Sequence, residues 1–254
     1  MNNLETEELR KMPEENRWYY IFGKVMNFPG VKVNREEFLR KEFSKYFSED
    51  KVMEIIENGA AKTGIPLKFV DEIAKKVIKR HKIWAVTASA ASGIPGGLAM
   101  FATIPADILQ YYFHAIKVAQ ELAYIYEYQN LEQNGDEDFV AYLTVFIGVM
   151  SGVNGATTVL KQISNMLADT VGRRLPRMAL TKTAIYPLVK QIAKWLGIKM
   201  TKPIFARIVA KAIPIIGSLI SGSFTFGMFS IEANRLKKSL REDFILKQKV
   251  SNVE

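Results

Sequence analysis

Three stretches without a charged residue, 83–106, 139–160 and 212–231, constrain this chain more than any motif in it. At 24, 22 and 20 residues, each is as long as the roughly 20 residues a helix needs to cross a bilayer core. Composition pulls the other way. The first stretch holds seven alanines, three glycines, two serines and two threonines, and Gly93, Pro95, Gly96 and Gly97 interrupt it. Inside a helix a proline costs about 3 kcal/mol and a glycine about 1 relative to alanine. This stretch therefore reads as two short helices around a turn. The third repeats the layout, with Pro214 early and Gly217, Gly222 and Gly227 spaced along it. Small residues let helix backbones approach closely, in water as in lipid. The expectation is helical hairpins buried in protein, with partial insertion into a bilayer as the alternative.

Elsewhere the period is helical. Asn34, followed three residues later by Glu37, reads as an N-cap with its capping-box partner. Pro66 stands at a helix start, and Leu67, Val70, Ile73, Ala74, Val77 and Ile78 then share one face. No alternating run long enough for a sheet accompanies them. The predicted fold class is all-α: a multi-helix bundle with Gly/Ala-rich hairpins that are buried or membrane-inserting. Residues 1–33 read as an N-terminal helical extension, 34–240 as the main domain and 241–254 as a polar tail.

The 254-residue chain has no cysteine, which excludes disulfides and thiolate chemistry. Its opening residues are charged and mixed in sign, unlike a signal peptide, so a cytoplasmic location is expected. The net charge of +9 is uneven: residues 1–82 carry +3, residues 83–138 carry −6 and residues 139–254 carry +12. In 161–211, 11 Lys and Arg face a single acid, Asp169. Such a segment attracts polyanions. Arg173, Arg174, Arg177, Lys190, Lys194 and Lys199, interleaved with Tyr186 and Trp195, suit an anionic membrane surface. Nucleic acid is the weaker reading, because no recognition motif accompanies the patch. Flanking charge is ambiguous about topology: the first two stretches fit a two-pass hairpin with its acidic connection outside, while the third is basic on both sides.

Chemistry has few candidates. Asp107, Gln110, His114, Lys117 and Glu121 recur at spacings of 3, 4, 3 and 4. On a helix they fall within about 80° of arc. They read first as the wet face of the 106–130 helix, and second as a ligand-binding or catalytic groove inside a bundle. Asp107, after Pro105, suits a helix first turn, where a carboxylate meets the free N–H groups. His81, within Lys-Arg-His-Lys, reads as part of a solvated basic helix end. No phosphate-binding loop, metalloprotease helix or nucleophile elbow occurs. Neither a cofactor, a metal site nor a catalytic residue is predicted.

Taken in order, three segments resemble the EcsC protein family: AAKTGIPLKFVDEIAKKVIKRHK, then GIPGGLAMFATIPADILQYYFHAIKVAQELAYIYEY, then KAIPIIGSLISGSFTFGMFSIEANRLKKSL. That family shows a glycine-rich run ending in Pro-x-Asp, a long helix ending near Ala-x-x-Tyr, and a C-terminal Ile-Pro-x-x-Gly hairpin. The matching positions here are Gly96, Gly97, Pro105 and Asp107; Ala123 and Tyr126; Pro214 and Gly217. The resemblance covers about residues 34–240. It departs at Glu127, where the family usually has glycine. A similar layout occurs in YcjF-type helical membrane domains. The family takes its name from an operon with an ABC transporter; the resemblance implies an all-helical, membrane-associated bacterial protein, and it supplies no catalytic residue. Implied partners are anionic membrane lipids and a transporter or other protein, at the inner face of the cell membrane.

Overall fold

Helices begin where the sequence supplies a start. In the computed structural model, which describes residues 11–90, 106–128, 131, 136–169, 184–199 and 223–251, nine α-helices follow one another with no strand among the described residues. They are α1 Glu14–Met26, α2 Arg35–Phe43, α3 Glu49–Asn58, α4 Leu67–Ala90, α5 Ala106–Ile125, α6 Asp136–Met150, α7 Ala156–Asp169, α8 Tyr186–Lys199 and α9 Ser223–Ser251. The cap expected at α2 forms: the Asn34 side chain accepts from the Glu37 N–H at 3.0 Å. α4 starts directly after Pro66, and Val70, Ile73, Ala74, Val77 and Ile78 are buried along its inner face.

Left-handed turns end α5 and α6. Val153 N–H reaches the Gly148 carbonyl at 2.9 Å and Gly152 N–H reaches Val149 at 3.1 Å, with Gly152 at φ 66°. Those two bonds are a Schellman turn, whose left-handed residue is usually glycine. The turn resolves the second uncharged stretch into α6 and α7, so 139–160 forms a hairpin of two helices. α5 ends the same way: Tyr128 N–H meets Ala123 at 2.8 Å and Glu127 N–H meets Tyr124 at 3.2 Å. Its left-handed residue is Glu127, at φ 69°. The departure from the family pattern thus occupies a position that suits glycine, and the carboxylate gains a partner there, accepting from the Ala61 N–H at 2.5 Å.

α5 is the axis of the bundle. Ala115, Ile116, Val118, Ala119, Leu122 and Ala123 are fully buried, and α1, α2, α4, α6 and α9 pack around it. Gln120, also at 0% exposure, donates to the Val31 carbonyl at 2.9 Å and accepts from the Val33 N–H at 3.1 Å, strapping the α1–α2 connection to the core. α1 is part of that core: Trp18 is fully buried and donates to the Thr144 hydroxyl at 2.9 Å. Glycine permits two close approaches. A Cβ at Gly197 would overlap the Glu14 backbone carbonyl between α8 and α1, and one at Gly148 would overlap Ile192 between α6 and α8.

Residues 241–251 continue α9. Phe244 is fully buried, Tyr128 donates to Asp243 at 2.7 Å, and Arg241 reaches Asp71 at 2.8 Å. No helix among the described residues is long and apolar enough to cross a membrane.

Candidate functional site

The polar stripe of α5 divides. Its backbone runs from Ala106, which places Asp107 in the first turn as expected; the Asp107 side chain lies outside the described residues. Gln110 is half-buried, and Lys117 reaches the Gly30 carbonyl at 2.6 Å. His114 and Glu121, seven residues apart and so two turns along one line, are buried at 5% and 3% exposure. They face α4 rather than water.

His81 meets them there. It is fully buried, which overturns its reading as a solvated helix end. The signal was in the sequence: on α4, position 81 falls within the arc of Val70, Ala74 and Val77, at the centre of the apolar face. Glu42 follows the same rule, one turn from Phe38 and Leu39 on the buried side of α2. Polar residues on an apolar face are the ones that must find partners.

Those partners form one chain across three helices. His81 Nε2 lies 3.0 Å from Glu121 Oε2, and His81 Nδ1 lies 3.3 Å from His114 Nδ1. In the His81 tautomer that gives Nε2–H to the carboxylate, Nδ1 is the acceptor for His114 Nδ1–H. Arg80 bridges the carboxylates, reaching Glu121 at 3.0 Å and Glu42 at 2.5 Å, and Lys45 reaches Glu42 at 2.5 Å. Arg80 and Lys45, two cations, thus sit against the two carboxylates. Burial pushes the His114 imidazole down to about 3, and the neighbouring His81 and Lys117 add to this. Burial alone would raise Glu121, but the His81 hydrogen bond and nearby Arg80 hold it below its ordinary value. Glu42 is likewise lowered, its burial outweighed by Lys45 and Arg80. The arrangement can relay a proton along Glu121, His81 and His114, and it clamps α2, α4 and α5 together. Among the described residues no group of three or more His, Asp or Glu is placed to hold a metal.

A second buried pair lies on α9. Glu232, at 6% exposure, is bonded to the Tyr111 hydroxyl of α5. Burial pushes its carboxyl up to about 8, so the group is neutral near pH 7. No sequence signal marked it beyond its position at the end of an apolar stretch.

Of the basic candidates, Lys190 and Lys194 stand exposed on α8, with Lys190 3.9 Å from Glu15. Lys199 closes α8, its side chain outside the described residues. Arg173, Arg174 and Arg177, and the turn residues Gly93, Pro95, Gly96, Gly97, Pro105, Pro214 and Gly217, lie outside the described residues as well.

The model of a protein family described as the EcsC protein family matches residues 33–226, more than half of the chain. Nothing among the curated proteins or the solved structures matches it.

Proposed function

The chain belongs to the EcsC protein family, and from its surface we propose that it is a non-enzymatic protein of an anionic membrane face, accessory to a membrane transporter or another protein partner. One observation carries the reading: the outer face of α8. Val189, Ile192, Ala193 and Leu196 are buried on its inner side, while Leu188, Trp195 and Ile198 are 37%, 43% and 36% exposed. Spaced by seven and three, these three fall within about 80° of arc, and Lys194 and then Lys190 border them. An apolar ridge with a tryptophan, edged by lysines, suits the boundary between headgroups and acyl chains.

Co-sedimentation with vesicles tests the proposal. Binding to vesicles containing phosphatidylglycerol is expected, with little to phosphatidylcholine alone and a steep loss as salt rises. Lys194→Glu should weaken binding roughly fivefold or more, since each lysine near such a surface contributes about 1 kcal/mol. Trp195→Ala should weaken it too. Indifference to both vesicle types would overturn the reading. A DNA duplex that competes fully for the same surface would favour a nucleic-acid role instead. The alternative of a ligand-binding or catalytic bundle draws support from the enclosure of His114 and Glu121. It stands second because His81 and Arg80 already occupy those groups.

A further inference from the structure

A groove of about 430 Å³ runs between α4 and α9, lined by Lys75, Ile78, Lys79, Lys82 and Ile83 on one side and by Ser230 and Asn234 on the other. Its size is that of a small-molecule site. The three lysines recur at spacings of four and three, within about 60° of arc on α4. None lies within ion-pair distance of a carboxylate among the described residues. The acids nearest in sequence are already engaged: Asp71 accepts from Arg241 and from Tyr126 at 2.8 Å each, and Glu72 is held by Lys76 at 3.0 Å. Lys237 lies near Lys75: burial lowers its affinity for a proton, Asp71 opposes that shift, and Lys75 and Arg241 add to it.

Like charges on one wall repel, and an anion between them would relieve the repulsion. The opposite wall supplies neutral donors. Asn234 spends one amide hydrogen on the Ser230 carbonyl at 2.7 Å, which leaves its second hydrogen and the Ser230 hydroxyl. A bare anion would use only this rim. Ile78 and Ile83, with the aliphatic stems of the lysines, offer an apolar floor. Ile83 on the groove wall is 48% exposed, and Ile231, next in sequence to Ser230, is 56% exposed.

We infer that the groove between α4 and α9 holds the headgroup of one anionic phospholipid: Lys75, Lys79 and Lys82 take its phosphate, Ser230 and Asn234 its remaining acceptors, and Ile78 and Ile83 the first methylenes of an acyl chain. The inference rests on the membrane reading for its ligand class, but not on the same residues. α8 packs on α1, α6 and α7, and its outer ridge shares no residue with the groove. The membrane contact therefore has two parts, a non-selective ridge and a headgroup-selective slot.

Calorimetric titration of the full chain with dihexanoyl-phosphatidylglycerol, kept below its micelle concentration, tests the slot without a bilayer. Saturable binding is expected, weakened at least about tenfold in the Lys79→Glu, Lys82→Glu double variant and unchanged in Trp195→Ala. Both lysines are exposed, so the double variant should keep wild-type circular dichroism. As a second variant, Ser230→Leu should fill the slot and also abolish binding. Absent monomer binding beside intact vesicle binding would overturn the slot and leave the ridge standing. Monomer binding beside absent vesicle binding would support the slot and overturn the ridge. Equal binding of inorganic phosphate would assign the groove to a soluble anion, and equal binding of dihexanoyl-phosphatidylcholine would remove the role of the lysines; either overturns the inference.

Discussion

Glu127 and Glu232 are both glutamates in places that disfavour the residue, and each is explained by what it touches. Glu127 sits in the left-handed region at φ 69°, where a side chain costs roughly 1–2 kcal/mol and glycine nothing comparable. Its bond to the Ala61 N–H, beside the turn at Gly59, offsets that cost by tying the end of α5 to the start of the α3–α4 connection. Glu232 is buried against Tyr111 and is protonated near neutrality. Its folded pKa of about 8 lies above the ordinary value of 4.5, so the folded state binds the extra proton between them. Stability from this group is then full below the unfolded value and is lost as pH rises toward 8. Between about pH 6 and about pH 8 the protein should lose about 2 kcal/mol more than the Glu232→Gln variant. Urea denaturation at both pH values measures the difference; parallel curves would show that Glu232 is ionised in the folded protein.

At the level of elements, Gly148 and Gly197 serve contact between helices in the folded core. Gly148 and Gly197 both face α8 contacts, but the atoms in the way differ. A methyl at Gly148 meets the Ile192 side chain; a methyl at Gly197 meets the Glu14 backbone. Overpacking of this kind costs about 1–3 kcal/mol. Gly148→Ala should therefore be partly rescued by Ile192→Ala, an interaction energy a double-mutant cycle would read directly. Gly197→Ala should find no side-chain rescue and should loosen α1, whose Arg17 donates to the Gly197 carbonyl at 2.9 Å. Equal rescue in both cases would contradict the stated origin of the clash. The same logic explains why 139–160, long enough by count for a span, became α6 and α7: Gly152 and Gly155 both adopt positive φ and turn the chain back on itself.

For the whole molecule, the first and last described helices, α1 and α9, belong to the core. Trp18 of α1 and Phe244 of α9 are fully buried. The final turns of α9 also hold Asp243 against Tyr128, Lys247 against the Glu127 carbonyl at 3.3 Å, and Gln248 against the Ile65 carbonyl at 3.0 Å. A chain shortened after Leu240 would expose the Phe244 site and leave the buried Tyr128 hydroxyl without Asp243. It should melt at a clearly lower temperature, by more than the ~2 °C that 1 kcal/mol represents at this size. An unchanged melting curve would show that residues 241–251 add nothing to the core.

What the sequence determined by itself was local: the helical period, the Asn34 cap, the Pro66 start, the absence of a strand pattern and the segments that resemble the family. Each depends on residues within one or two turns of each other. His81 and Glu42 were legible in principle, since each interrupts an apolar face. Their partners were not, because nothing in the order of residues says that α4 lies against α5 with position 81 level with 114 and 121. Only the tertiary structure decided that His114 and Glu121 of the α5 stripe are buried, that Glu232 meets Tyr111, and that three lysines of α4 face Ser230 and Asn234 across a groove. Burial, pairing and the pKa of a carboxyl are properties of neighbours far apart in the chain, and packing alone chooses those neighbours.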